Sequence, residues 1–306
     1  MKFLHQRKGA AQNLAFLGLM CALNAVVATL STLVPLSSLF VIIFLPLVSS
    51  LTVILCEDKY TLVYVVAAIA LSLGVTAYDI TSTLFYIIPA IIVGALYGFL
   101  LKKGFPTAYL IFVAALLEMG LNYAALPLIK LMTGKDFLAT IVGLLGLADN
   151  TFIPKLYPTF IFAYSLMEVV LSHLVTSSVI ATLKIETPNY NGLTWLYEIL
   201  AISFSICAIG LAFADISWGY WCLSAGLYFL VFSLLTYIRK LPVWTYILLG
   251  VMGAAGWVLF ACLYSLMGVQ AGLLLLGLVT ISFAIPCLIV RLLFRVTPSV
   301  TTTTHE

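Results

Sequence analysis

PTAYLIFVAALLEMGLNYAALP (106–127) and PTFIFAYSLMEVVLSHLVTSSVIATL (158–183) decide how this chain is read. Each is an apolar run long enough to cross a hydrocarbon core of about 30 Å as a helix. Each carries one carboxylate near its middle, Glu118 in the first and Glu168 in the second. Counted from Pro127 and Pro158, the ends joined by the intervening loop, the two glutamates lie nine and ten residues in, about 15 Å at helical rise. They therefore reach the same depth, near the midplane, where an ionised carboxylate is costly unless it is paired, wet or protonated.

Spacings of three and four put Glu118 on one helix face with Ala114, Asn122 and Ala125, and Glu168 on one with Tyr164 and Ser172. Glu118, Asn122, Tyr164, Glu168 and Ser172 are the candidate substrate-binding residues of a polar pocket between helices. Two midplane carboxylates repel each other, so a cationic or amine-bearing solute would relieve them and an anion would be opposed. The competing reading is a protonated, purely structural hydrogen bond joining two helices.

Composition supports the membrane reading. The chain of 306 residues is 64% hydrophobic and 8% charged, with a mean hydropathy of +1.20, against about 45–50% apolar and 25% charged for soluble domains. Unbroken apolar runs of this length are helices, not the alternating strands of a barrel. The expected fold class is thus all-α, a polytopic helical membrane protein with spans at 12–34, 37–56, 60–77, 80–101, 106–128, 158–183, 194–214, 217–238, 243–266 and 269–290. With the N-terminus inside, eleven basic residues fall on the cytoplasmic side and only Lys130, Lys135 and Lys155 outside. This bias predicts both termini cytoplasmic, in the cell membrane. Lys2, Arg7 and Lys8 precede the first run as a signal peptide's charges would, but that run continues to Val34 and is rich in small residues, which suits a retained helix.

Other features are weaker. The 130–157 connection is long for this chain, and its apolar stretch 137–147, with Gly143 and Gly146, reads either as an outer lid over the pocket or as a passive surface helix. Pro46 and Pro89 are expected to break the second and fourth spans, a feature of cavity-lining helices. Asp79 reads as a solvated loop acid. His173 lies about 140° round from Glu168, a poor metal pair and a better interhelical hydrogen bonder. The six cysteines have no metal-ligand spacing, so no metal and no cofactor are expected. Ala11, Ala15, Gly18, Ala22 and Ala25, with Thr29, form a small-residue stripe within about 80° on the first helix, a candidate partner contact. Beyond Pro188 the character changes. All five tryptophans lie there, with one acid at each margin, Glu198 and Asp215; this half reads as structural. The implied division is 1–186, 187–296 and a polar tail, 297–306. The chain has no P-loop, H-E-x-x-H or nucleophile elbow, and its scattered basic residues form no nucleic-acid-binding cluster, so neither an enzyme nor a nucleic-acid binder is expected.

The first 186 residues resemble the S components of energy-coupling factor (ECF) vitamin transporters. The resemblance rests on the small-residue first helix, on the compact next three helices ending Gly94-Ala95-Leu96-Tyr97-Gly98 before Lys102-Lys103, and on the long outer loop before the sixth span. It implies a six-helix substrate-capture subunit that takes a vitamin-like or cationic small-molecule solute from outside and hands it to a transmembrane coupling subunit and its ATPases. The helix-one stripe would then be the coupling contact. The four added helices depart from that family and are similar to those of longer bacterial multi-pass membrane proteins. The alternatives are a stand-alone ten-helix carrier of the drug/metabolite type, or a membrane scaffold or assembly factor without a solute. A carrier would show a five-plus-five repeat, and none is visible.

Overall fold

The computed structural model describes residues 9–33, 38–134, 136, 139–140, 143, 153–185, 196–237 and 269–294. These residues form helices α1 (Ala10–Leu33), α2 (Ser38–Leu55), α3 (Thr61–Thr76), α4 (Ile80–Lys102), α5 (Thr107–Thr133), α6 (Tyr157–Thr182), α7 (Leu196–Leu211), α8 (Ile216–Tyr237) and α9 (Val269–Phe294), with no strand among them. Seven helices are long and apolar enough to cross a membrane, and two shorter ones, Val41–Leu55 and Leu196–Leu211, are also apolar. That is the helical composition of a polytopic membrane protein. The expected span at 243–266, most of the lid at 137–147 and the tail at 297–306 lie outside the described residues.

The chain divides into two compact units, Met1–Asp149 with Ile161–Asn189, and Asn150–Phe160 with Tyr190–Glu306. In the first unit α1 buries Asn13, Phe16, Leu17, Cys21, Asn24 and Ala28, the face that joins Leu45 and Tyr64 in one core. The Asn24 amide donates to the Tyr64 hydroxyl, which also pairs with Ser49 Oγ at 2.9 Å. One buried polar knot centred on the Tyr64 hydroxyl therefore ties α1, α2 and α3.

The prolines do not break their helices. Pro46 sits inside a continuous α2, and α5 runs through Pro127 to Thr133, where Gly134 at φ 71° stops it. Ahead of Pro89, α4 widens into a π-turn over Thr83–Ile87, and the Ile88 N–H reaches the Thr83 carbonyl five residues back. A single widened turn absorbs the donor that proline lacks. Asp79 is not a free loop acid but the N-cap of this helix, accepting from Ser82 N at 3.1 Å.

α4 lies against α2 at backbone range. A Cβ built on Gly94 would stand 2.5 Å from Pro46 Cα, and one on Gly98 would stand 2.6 Å from the Ser50 carbonyl oxygen. The Gly94-x-x-x-Gly98 spacing thus removes the side chains that would hold the two backbones apart.

A polar cluster closes the α2–α3 turn. Glu57 accepts from Gly9 N at 3.2 Å and from Asn13 Nδ2 at 3.4 Å, and pairs with Lys59 at 2.7 Å. Asp58 binds Lys102 at 2.6 Å and Lys103 at 3.0 Å, while Lys102 also donates to the Cys56 carbonyl at 2.6 Å. The Lys59 hydrogen bond, followed by that from the Gly9 backbone, holds the Glu57 carboxyl below its ordinary range. A depressed carboxyl contributes above its unfolded value and loses that contribution as pH falls through the lowered one. The protection of the Gly9 amide from exchange should therefore be present near neutrality and be lost below about pH 4. Glu57→Gln should abolish it throughout.

In the second unit Glu198, in the first turn of α7, is fully buried. It accepts from Ser233 Oγ at 2.7 Å and pairs with Arg291 of α9 at 3.1 Å, so this acid at the margin of its helix is also the buried centre of an α7–α8–α9 tie. Ser233→Ala removes one donor to a buried charge and should lower stability by about 1.5–3 kcal/mol, read from thermal unfolding in detergent.

Candidate functional site

Glu118 and Glu168 each lie near the midpoint of a long apolar helix, α5 and α6. The two are 4% and 7% exposed. The two side chains are electrostatic neighbours. The Tyr164 hydroxyl, one turn before Glu168, donates to Glu168 Oε1. Phe85 of α4 packs on the Tyr164 ring at 6.1 Å and holds that hydroxyl in place.

Both carboxyls face one cavity of about 10 Å³ bounded by α2, α4, α5 and α6. Ile42 and Pro46 contribute one wall, Tyr86, Gly94 and Tyr97 a second, and Val169 and Ser172 a third. Among the described residues no Lys or Arg lines it. Ser172 is 5% exposed and makes no hydrogen bond among the described residues. The Tyr97 hydroxyl is engaged with His173 Nδ1 at 2.6 Å, so His173 acts as an interhelical hydrogen bonder and leaves the carboxyl pair alone.

Of the five residues expected in the pocket, the structure places Glu118, Glu168 and Ser172 on the cavity and Tyr164 on Glu168. Asn122 is not on the cavity wall. It is fully buried one turn from Glu118, with neither its Oδ1 nor its Nδ2 finding a partner. Tyr86, Tyr97, Ile42 and Gly94 line the cavity without having been singled out as site residues. The Gly94-x-x-x-Gly98 spacing points to the α4 wall, as the prolines of the second and fourth spans do to the α2 and α4 walls.

The cavity's size changes what it can hold. A volume near 10 Å³ admits about one water, whereas sites for organic ligands measure about 300–1,000 Å³. A vitamin-sized solute does not fit this conformation. Two neighbouring carboxyls in a low-dielectric interior repel each other when ionised, which favours a ligand of positive charge and opposes an anion. Among the described residues no group of three His, Cys, Asp or Glu side chains is arranged to hold a metal ion.

On α1 the stripe divides. Ala11, Ala15, Gly18 and Ala22 are exposed, while Ala25 is buried with the core face. A Cβ added at Gly18 would meet nothing within 4 Å. No family model matches the chain, and no curated protein or solved structure shows significant similarity to it.

Proposed function

We propose that the chain is an integral membrane solute-binding and transport protein of the cell membrane, with both termini cytoplasmic, whose binding centre is the Glu118–Glu168 pair and whose solute is a small cation or amine. One observation carries this reading: two neighbouring carboxyls near the middle of two apolar helices line one cavity, with no basic side chain beside them among the described residues. Such a pair is expensive in lipid and gains most from a ligand of positive charge. A merely structural link would not need the open oxygen of Ser172 beside it. Purification of the native protein followed by mass spectrometry of co-purifying small molecules tests the reading. A bound anion would end it.

The exposed part of the α1 stripe supports a second subunit as partner, in the manner of the coupling subunit and ATPases that the S-component resemblance implies. Small side chains allow a helix to approach closely, and here no helix of the described chain fills that space. Ala15→Trp and Ala22→Trp should keep the wild-type melting temperature and lose a co-purifying membrane partner. Loss of folding in both would make the stripe internal packing.

A further inference from the structure

We propose that a line of oxygens on α6, continued on α5 by Asn122, is the route by which the solute crosses the first unit, passing Asn122 and Ser165, then the Glu118–Glu168 pair, then Ser172 and Thr176. The inference rests on the functional reading above and adds the way into and out of its site. Ser165, Glu168, Ser172 and Thr176 follow one another at spacings of three and four, within about 80° at 100° per residue. All four are buried, Ser165 and Thr176 completely. Packing fixes where the line points. Tyr164 on one flank lies against Phe85 of α4, while Phe162 and His173 on the other lie against Phe112 of α5 and Tyr97 of α4. The line between these flanks therefore faces the space that α4 and α5 enclose.

The protein leaves these polar groups unused. A serine or threonine inside a helix can donate to the carbonyl one turn back, as Thr52, Thr76 and Ser205 do at 2.7 Å. Ser165 Oγ and Thr176 Oγ1 make no such bond and meet no other partner, and the same holds for both polar atoms of Asn122. Ser172 is likewise without a partner among the described residues and faces the cavity. Unpaired polar groups at full burial are costly exceptions, and polar residues turned inward on membrane helices mark solute and ion pathways. Their order fits a crossing. Asn122 and Ser165 lie on the side of the carboxyl pair nearer the α5–α6 connection, and Ser172 and Thr176 lie on the other. From Ser165 to Thr176 the line runs about 16 Å at helical rise, roughly half of a hydrocarbon core of about 30 Å. Uncharged hydrogen-bonding groups before and after the pair give a solute partners as it arrives and as it leaves. In this conformation the line is closed at the pair, where the cavity admits about one water, so a crossing requires an opening there.

The test is thiol labelling of the full chain in membrane vesicles from the cells that make it, with a charged, membrane-impermeant methanethiosulfonate added from one side at a time and each modified peptide quantified by mass spectrometry. Ser165→Cys should react from the outside and Thr176→Cys from the cytoplasmic side, each at least about ten-fold faster than the native Cys21, which is buried in the core of the same unit. Labelling of neither position, or of one alone, overturns the through route. Labelling from the opposite sides keeps the route and overturns the orientation. Thr176→Val, which exchanges an unpaired hydroxyl for a methyl of the same shape, should hold or raise the melting temperature in detergent. A fall shows that the hydroxyl is bonded within the fold and overturns the line as described. A bound cation without labelling keeps the carboxyl pair as a binding centre and ends the route, whereas labelling with a bound anion keeps the route and ends the cation site.

Discussion

Glu118→Gln and Glu168→Gln should each weaken binding of the positively charged solute by about 30-fold to 1,000-fold, the usual consequence of removing one partner from a buried charged contact. The fold should survive. Replacing one acid of the pair by an amide keeps a hydrogen-bonding group of the same shape and removes the carboxyl–carboxyl repulsion, so the melting temperature should hold or rise. The measurement is equilibrium binding beside thermal unfolding, with Asp136→Asn as the control. Asp136 is an exposed acid paired with Lys130 at 3.0 Å, and its loss should change neither quantity. A structural hydrogen bond between α5 and α6 makes the opposite pair of predictions, lower stability with binding unaltered. That result would sink the binding site and leave the fold as described. Glu168→Gln should be the more damaging of the two for local order, because the Tyr164 hydroxyl donates to Glu168 and not to Glu118.

The carboxyl pair was legible in the sequence because an acid inside an apolar run is costly enough to stand out without any knowledge of its neighbours. Most of the cavity wall was not. Ile42, Tyr86 and Tyr97 are ordinary membrane-helix residues, and nothing local marks them as facing Glu118 from 21 to 76 positions away along the chain. Asn122 and Glu118 share a face by spacing, yet a face is wider than a cavity, and one turn of difference takes Asn122 off its wall. The prolines misled for another reason. Proline stops helices in water, where an unpaired carbonyl finds solvent, but packed membrane helices retain it inside a continuous or locally widened helix, as at Pro46, Pro127 and Pro89. Glu198 was legible as an acid at the margin of its span, but its burial and pairing were not, because its partner Arg291 lies on a helix far along the chain and charge pairing across helices leaves no periodic trace. On α1 the period alone put Ala25 in the same stripe as Gly18. Packing assigns it to the core, because a stripe 80° wide borders the buried face at one edge.

The closeness of α2 and α4 makes the second large prediction. Gly94→Leu and Gly98→Leu should each cost about 3 kcal/mol or more, at the upper end for overpacking, because the first added carbon already meets backbone and not a movable side chain. Even Gly94→Ala must push α2 away, since its Cβ would stand 2.5 Å from Pro46 Cα and 2.7 Å from the Pro46 oxygen. Helical glycines in open space give the contrast. Gly74 and Gly120 have nothing within 4 Å of a built Cβ, so alanine there should be neutral or stabilising by up to about 1 kcal/mol, as ordinary helix propensity dictates. Thermal unfolding of the four alanine variants reads the difference directly. Pro46 and Gly94 also line the cavity, so moving α2 from α4 enlarges the space beside Glu118 and Glu168. Gly94→Ala should therefore shift the site's selection by size towards larger positively charged ligands as well as lower its stability. Gly98→Ala, one turn further along α4 and off the cavity wall, should lower stability with less change in selectivity. If both alanine variants melt like wild type, the two backbones do not touch as described, and the wall that sets the size of the cavity is elsewhere.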